Sequence, residues 1–286
     1  MSLQFVIGSS GAGKSCYAYD HVIRESIKYP KRQYYVIVPE QFTMQTQKTL
    51  VEMHPGRGIL NIDVLSFQRL AYRILQETGG NMGKLLEDTG KSMVLQKVVQ
   101  MHKGQLPYLG GQMKRPGCLD EVKSLISEFL LYDIGDSDLE DMVKRAKQQP
   151  LLYMKLQDVQ VLYKGFKEYL EGHYITGEEI LDALLPAVPL SEKLKDSVIV
   201  LDGFTGFTPI QVKVIRELLA VCQKVMVTVT MDGTGDVFAK GKPHQLFYMS
   251  RQMIHILSAL TRDLEEPVCL TTDEKSRFSQ APALRF

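Results

Sequence analysis

The stretch Phe5-Val6-Ile7-Gly8-Ser9-Ser10-Gly11-Ala12-Gly13-Lys14-Ser15 constrains the fold more than any other part of the chain. A short apolar run ends in glycine, and G-x-x-x-x-G-K-S follows, the pattern of a phosphate-binding loop between a strand and a helix. A triphosphate tail is a crowded polyanion, so such a loop wraps it with backbone N–H groups and keeps side chains away. The glycines allow the backbone angles and close approaches this needs. A helix starting near Lys14 aims its positive dipole end at the phosphates. Lys14 then reaches the β/γ-phosphates, and the Ser15 hydroxyl ligates Mg²⁺. The candidate nucleotide-binding residues are Gly8, Ser9, Ser10, Gly11, Ala12, Gly13, Lys14 and Ser15, and the cofactors are ATP and Mg²⁺. A glycine-rich turn without a ligand is the plainer alternative.

A strand–helix rhythm follows the loop. Residues 3–7 read as a strand and 14–28 as a helix that ends before Pro30. Tyr34-Tyr35-Val36-Ile37-Val38, closed by Pro39, reads as a buried parallel strand. Glu40 to Met53 reads as a helix with Phe42 and Leu50 as core contacts. Residues 59–64 read as a third strand. Ser66 caps a helix whose Phe67, Leu70, Ala71, Ile74 and Leu75 share one face, and Gly79-Gly80 ends it. This rhythm predicts a parallel sheet covered by helices on both faces, with right-handed crossovers.

Between about Leu85 and Leu185 the strand signals vanish. Leu119, Val122, Leu125, Ile126, Phe129 and Leu130 recur at helical spacing, as do Leu156, Val159, Leu162, Tyr163, Phe166, Tyr169 and Leu170. Ser137 with Glu140, and Thr176 with Glu179, have the form of capping boxes. The sheet then resumes with residues 197–201 and 225–230. Between those runs Thr208 caps a helix with Pro209 at its first position. Residues 244–261 read as a helix and 267–270 as a last strand. The expected organisation is a discontinuous α/β domain, 1–84 and 188–286, with a helical insertion subdomain at 85–187.

A phosphate-binding loop also needs a carboxylate to hold Mg²⁺ through water, at the end of an apolar strand next to the first one. Asp202 closes the most apolar strand and is the candidate; an aspartate in an ordinary Asp-Gly turn is the alternative. The next residue is Gly203. ATPases of the helicase type usually carry there the glutamate that activates water. Glu192, Asp196 and Asp236 are not at that spacing, so the reading is nucleotide binding with slow hydrolysis. Gln211, in the first turn of its helix, reads either as a γ-phosphate sensor or as an ordinary exposed glutamine.

The 286 residues carry 34 basic and 33 acidic side chains, a net charge of +1. No global basic field announces nucleic acid, and none excludes a local patch. Cys16, Cys118, Cys222 and Cys269 are isolated and read as free thiols of a reducing compartment. The first strand starts too early for a signal peptide, and no apolar run approaches a membrane span. The expected location is cytoplasmic, without a membrane partner.

Beyond the loop, several stretches carry a family resemblance. They are Val-Pro-Glu-Gln-Phe-Thr (38–43), Val-Leu-Ser-Phe-Gln-Arg-Leu-Ala-Tyr (64–72), Gly90-Lys91 opening a helix, and Leu-Asp-Gly-Phe-Thr-Gly-Phe-Thr-Pro-Ile-Gln (201–211). With the loop at the extreme N-terminus, the whole chain resembles the N-terminal part of the AddB family, one of the two subunit types of the AddAB ATP-dependent helicase/deoxyribonucleases of Gram-positive bacteria. Asp202 to Gln211 also resembles the Asp-Glu-Phe-Gln…Gln segment of superfamily-1 helicases, with glycine in place of the glutamate. The resemblance implies a P-loop NTPase sheet of the superfamily-1 domain 1A kind with an inserted helical subdomain. It implies an ATP-binding module, degraded as a motor, in a complex that processes double-strand DNA ends for recombinational repair. Implied partners are DNA, as double-strand ends and single strand, and an AddA-type helicase/nuclease subunit. The nuclease domain, the second motor domain and an iron–sulfur cluster are implied only for the far longer family proteins, outside this chain. By the same resemblance Gln41, Phe42, Thr43, Ser66 and Phe67 lie near DNA. Phe42 reads equally as a stacking face or as a core side chain. A free-standing P-loop ATPase or kinase, and a nucleotide-stabilised scaffold for DNA or a partner, are the alternatives in function.

Overall fold

The computed structural model describes residues 2–79, 83–233 and 235–270, which separate into two compact units. The first comprises residues up to Thr78, Leu184–Phe207 and those from Gln211 onward; the second comprises Gly79–Ala183 with Thr208–Ile210.

The first unit holds a six-stranded sheet in which every neighbouring pair runs parallel. Its strands are β1 (Ser2–Gly8), β2 (Tyr34–Ile37), β3 (Ile62–Leu65), β6 (Val198–Leu201), β7 (Lys224–Thr230) and β8 (Val268–Leu270), in the spatial order β3-β2-β6-β7-β1-β8. The strands read as apolar runs because both faces are covered. Val6, Tyr34, Val36, Val198, Val200 and Met226 point to one face, where α1 (Lys14–Lys28) and α2 (Thr43–Met53) supply Ala18, Tyr19, Val22, Ile23 and Leu50. Phe5, Ile7, Tyr35, Ile37, Ile199, Leu201, Val225, Val227 and Val229 alternate with them and are equally buried on the other face. Helices α3 (Phe67–Thr78), α9 (Pro209–Val221) and α10 (Tyr248–Ser258) complete the series. Ser66 accepts a hydrogen bond from the Arg69 amide at 3.3 Å, as its capping position predicts. The Gly79-Gly80 stop is described only at Gly79, with φ +70°; Gly80 lies outside the described residues.

The second unit is built from α4 (Asp88–Met101), α5 (Pro116–Leu131), α6 (Asp136–Arg145) and α7 (Pro150–Leu170), with α8 (Ile180–Leu184) at its end. Its core gathers Leu95, Val98, Ile126, Phe129, Leu139, Leu162, Tyr163 and Phe166. Phe129 and Tyr163 meet edge to face at 5.6 Å. An ion pair joins the buried Lys91, through Nζ, to both oxygens of the half-buried Glu178 at 2.7 and 2.8 Å.

Four sequence expectations shift. The stretch without strand signals contains two strands, β4 (Lys84–Leu86) and β5 (Tyr174–Thr176), paired parallel to each other. Three residues are too few to display the period of two that marks a strand. Ser137 and Glu140 do not form the capping box. Helix α6 starts at Asp136, and Asp138 accepts the Gly135 amide at 3.0 Å, two residues earlier. Residues 40–42 form a 3₁₀ turn before α2 rather than its first turn, and Phe42 is 47% exposed, not a core contact. The third strand and the helix near residue 250 are displaced or shortened, to Ile62–Leu65 and Tyr248–Ser258. The Thr176–Glu179 box is present, with reciprocal bonds of 3.1 and 3.2 Å between each backbone amide and the other's side chain. No helix among the described residues is long and apolar enough to cross a membrane.

Candidate nucleotide and cation site

In a parallel sheet every strand delivers its C-terminal residue to the same edge, and ligands of such sheets bind there. Gly8 ends β1 at that edge, the loop turns through Ser9–Gly13, and α1 begins at Lys14. Gly11 and Gly13 stand at φ +80° and +88°, where an L side chain is strained. The loop is tied by the Ala12 amide to the Ser9 carbonyl at 3.2 Å, and α1 opens with the Tyr17 amide on the Gly13 carbonyl at 2.8 Å. Lys14 Nζ donates to the carbonyls of Gly8 and Ser9 at 3.0 and 2.9 Å, folding its charge over the loop. Burial lowers the ammonium pKa from its ordinary value, and the charge of Asp202 opposes that shift.

Asp202 lies one residue beyond β6 and is 5% exposed. The register explains its neighbours. Leu201 pairs with Val227 of β7, so Asp202 comes level with Thr228, which itself pairs with Val6 of β1. Asp202 and Thr228 continue the rows of Val200 and Met226, on the face covered by α1. Ser15 and Tyr19, one helical turn apart on α1, project onto that face. The outcome is a carboxylate held by three hydroxyls. Oδ1 accepts from Ser15 at 3.0 Å and from Thr228 at 2.6 Å; Oδ2 accepts from Tyr19 at 2.5 Å. The Tyr19 hydroxyl also lies 3.4 Å from Oγ1 of Thr46 in α2. Burial, then the adjacent Asp202 charge and hydrogen bond, push the Tyr19 phenol well above its usual range. It therefore remains a donor.

One expectation about this carboxylate is corrected. Its strand is not next to the first one, because β7 lies between β6 and β1. The contact survives because Ser15 reaches over β7 from α1, and β7 adds its own hydroxyl at Thr228. Thr228 and Tyr19 went unnoticed in the sequence. The available signals were a threonine between two valines of a strand and a tyrosine four residues after the loop serine.

The other candidate residues separate by exposure. Gln41 and Phe42 are exposed beyond the end of β2. Thr43 is buried and donates to the Glu40 carbonyl at 2.9 Å. Ser66 is buried as the cap of α3. Phe67 is buried, with its ring edge-on to Phe204 at 5.5 Å and to Phe207 at 6.2 Å. Gln211 is half-buried in the first turn of α9. Gly203 has φ +79°, and a Cβ there would lie 3.6 Å from Cδ of Pro39, an ordinary contact. Backbone conformation rather than space therefore selects glycine at the position where the resemblance places a glutamate.

The residues present fit a nucleoside triphosphate with a divalent cation. The loop, the lysine and a hydroxyl-bound buried carboxylate supply the anion cradle, the positive charge and the oxygen ligands that such a pair requires.

A sequence model of the family described as "ADDB, N-terminal" matches residues 5–286. The B subunit of the ATP-dependent helicase/deoxyribonuclease of Lachnoclostridium phytofermentans is 48% identical over 98% of this chain and 24% of its own length. The proteins of the same name from Geobacillus kaustophilus and Clostridium novyi are 33% and 29% identical, over 96% and 100% of this chain. The chain spans about a quarter of the length of these curated relatives. With its parallel sheet and the match across nearly every residue, the chain belongs to the AddB N-terminal family.

Proposed function

We propose that this chain is the ATP-binding, helicase-like module of one component of an ATP-dependent helicase/deoxyribonuclease that processes double-strand DNA ends for repair, and that it is inactive or weak as a motor by itself. The observation that carries the reading is the hydrogen bond between Ser15 and Asp202, which joins the phosphate-loop hydroxyl to a buried carboxylate at one sheet edge. In this reading the six-stranded sheet corresponds to domain 1A of superfamily-1 helicases, and the 79–183 unit to their inserted helical subdomain. ATP with Mg²⁺ is the cofactor. Lys14 and the amides of Gly8–Ser15 hold the phosphates, Ser15 and Asp202 hold the cation, and Gln211 responds to the γ-phosphate. The partners are DNA and an AddA-type subunit. Of the residues assigned to DNA by resemblance, Gln41 and Phe42 have the exposure to meet a strand, and Phe42 offers a stacking face. The module works in the cytoplasm.

Gly203 favours the motor-dead form of this reading. A general base contributes about 10²–10⁴-fold to such a reaction. The left-handed backbone at Gly203 disfavours the glutamate that would supply it. Nucleotide then acts as a ligand that stabilises the fold or the docking of a partner.

Equilibrium titration of ATP into the chain tests this, for wild type beside Lys14→Ala. Wild type should bind in Mg²⁺, and Lys14→Ala should lose most of the affinity. Equal binding by both, or none by wild type, would remove the nucleotide site.

A further inference from the structure

The nucleotide-site reading accounts for Lys14, Ser15 and Asp202 but gives no role to the tyrosine at their centre. Tyr19 is 5% exposed, and its hydroxyl gives Asp202 the shortest of that carboxylate's three hydrogen bonds, 2.5 Å against 2.6 and 3.0 Å. An ionised carboxylate has roughly four acceptor positions, two on each oxygen. Ser15 and Thr228 fill both positions of Oδ1, and Tyr19 fills one of Oδ2. The acceptor position that remains belongs to the oxygen Tyr19 holds. Without the phenol, the carboxylate is tethered through Oδ1 alone and is free to turn about that point. Tyr19 is held in turn by its helix and by Thr46 of α2.

We propose that Tyr19 is a positioning residue for the divalent cation of this site, fixing Asp202 in the orientation that leaves one acceptor position of Oδ2 for the hydrated cation. It does not touch nucleotide and takes no part in bond making. The inference rests on the nucleotide-site reading and goes further, because it separates the cation's share of nucleotide affinity from the phosphate loop's share. A tyrosine that merely satisfies its own buried hydroxyl would lose stability on replacement and shift all nucleotide binding alike. A positioning tyrosine shifts only the part that depends on Mg²⁺. Groups that orient metal ligands typically change metal affinity by about 10–100-fold when removed.

The test is ATP titration of the 286-residue chain in Mg²⁺ and again in EDTA, for wild type, Tyr19→Phe and Lys14→Ala. Wild type should bind more tightly in Mg²⁺. Tyr19→Phe should keep the EDTA affinity and lose about 10-fold or more of the Mg²⁺ gain. Lys14→Ala should be weak in both. If Tyr19→Phe retains the full gain, or weakens both conditions equally, the positioning role is wrong and the nucleotide site stands. If wild type binds in neither condition, the site reading itself fails. Should Tyr19→Phe not fold, carbon-13 NMR of the labelled tyrosine ring in unmutated protein decides, with Tyr19 assigned through its contact with Thr46. Adding Mg²⁺ to the ATP-saturated chain should move the Tyr19 ζ-carbon signal, and an unmoved signal would overturn the inference.

Discussion

Among the described residues each unit buries one aspartate, and the two are held by different donors. In the helical unit Asp158 of α7 is fully buried, and its Oδ2 accepts the backbone amides of Tyr108 and Leu109 at 2.9 and 2.6 Å. Its Oδ1 is buried with no hydrogen-bond partner among the described residues. In the sheet unit both oxygens of Asp202 are bonded, and all three donors are side-chain hydroxyls. Backbone amides are fixed by the chain, so Asp158 pins the loop around Tyr108 to α7. Hydroxyls rotate and serve as either donor or acceptor, so the Asp202 cluster can admit a new partner. Burial alone therefore does not distinguish the two carboxylates; the kind of donor around each does.

The largest expected effect comes from the fixed carboxylate. Asp158→Ala strands the buried Leu109 amide and the part-buried Tyr108 amide and should destabilise the chain by about 3 kcal/mol, measured by urea denaturation, while the folded protein keeps its ATP affinity. A loss under about 1 kcal/mol would mean those amides find water and the contrast with Asp202 is false.

The next effect lies beside the adaptable carboxylate. Gly203→Ala places a Cβ in left-handed backbone and should cost about 1–2 kcal/mol. Gly203→Glu should be similarly destabilised and gain no ATP hydrolysis. Turnover raised by Gly203→Glu would show that the backbone admits a base there.

Asp202→Asn sharpens the comparison further. The amide oxygen still accepts hydroxyl bonds, so stability should change by less than about 1 kcal/mol. Removing the charge should nevertheless abolish the Mg²⁺ gain in ATP affinity. A large stability loss with intact Mg²⁺ dependence would make Asp202 a structural residue like Asp158.

The smallest effect is at the opposite end of the sheet. Burial raises the Glu265 pKa, but hydrogen bonds from Lys224 at 2.7 Å and Ser2 at 2.5 Å outweigh it and hold the carboxyl below its usual value. As pH falls the unfolded chain takes up this proton first. The group's contribution is thus complete above the ordinary carboxylate range and is lost as pH falls through it toward the lowered folded value. Glu265→Gln should flatten the acid limb of stability against pH only slightly. An unchanged acid limb would show that the ion pair contributes nothing.

What the sequence revealed follows from the range over which each signal acts. The turn of Gly8–Ser15 between strand and helix is local, written in glycine spacing and one apolar run. The strands at Tyr34–Ile37 and Val198–Leu201 are equally local, because a strand buried on both faces needs only a continuous apolar run. The partners of Asp202 are not local. That Thr228 comes level with it depends on β7 entering the sheet between β6 and β1, a crossover order that no short window encodes. Tyr19 looked like any apolar position of α1 until the sheet put a carboxylate under it. The paired strands β4 and β5 are too short for a pattern. Thr43, Ser66 and Phe67, grouped with Gln41 and Phe42 by resemblance, turned out to be separated from them by burial, which a linear motif does not record.

The most direct test of a nucleotide site without a motor is single-turnover hydrolysis of ATP already bound to the chain, with and without single-stranded DNA. The expected result is release of intact ATP, with no phosphate formed above the buffer rate in either condition. DNA-stimulated phosphate formation that disappears in Lys14→Ala would contradict it and would require a water-activating base that Gly203 does not supply.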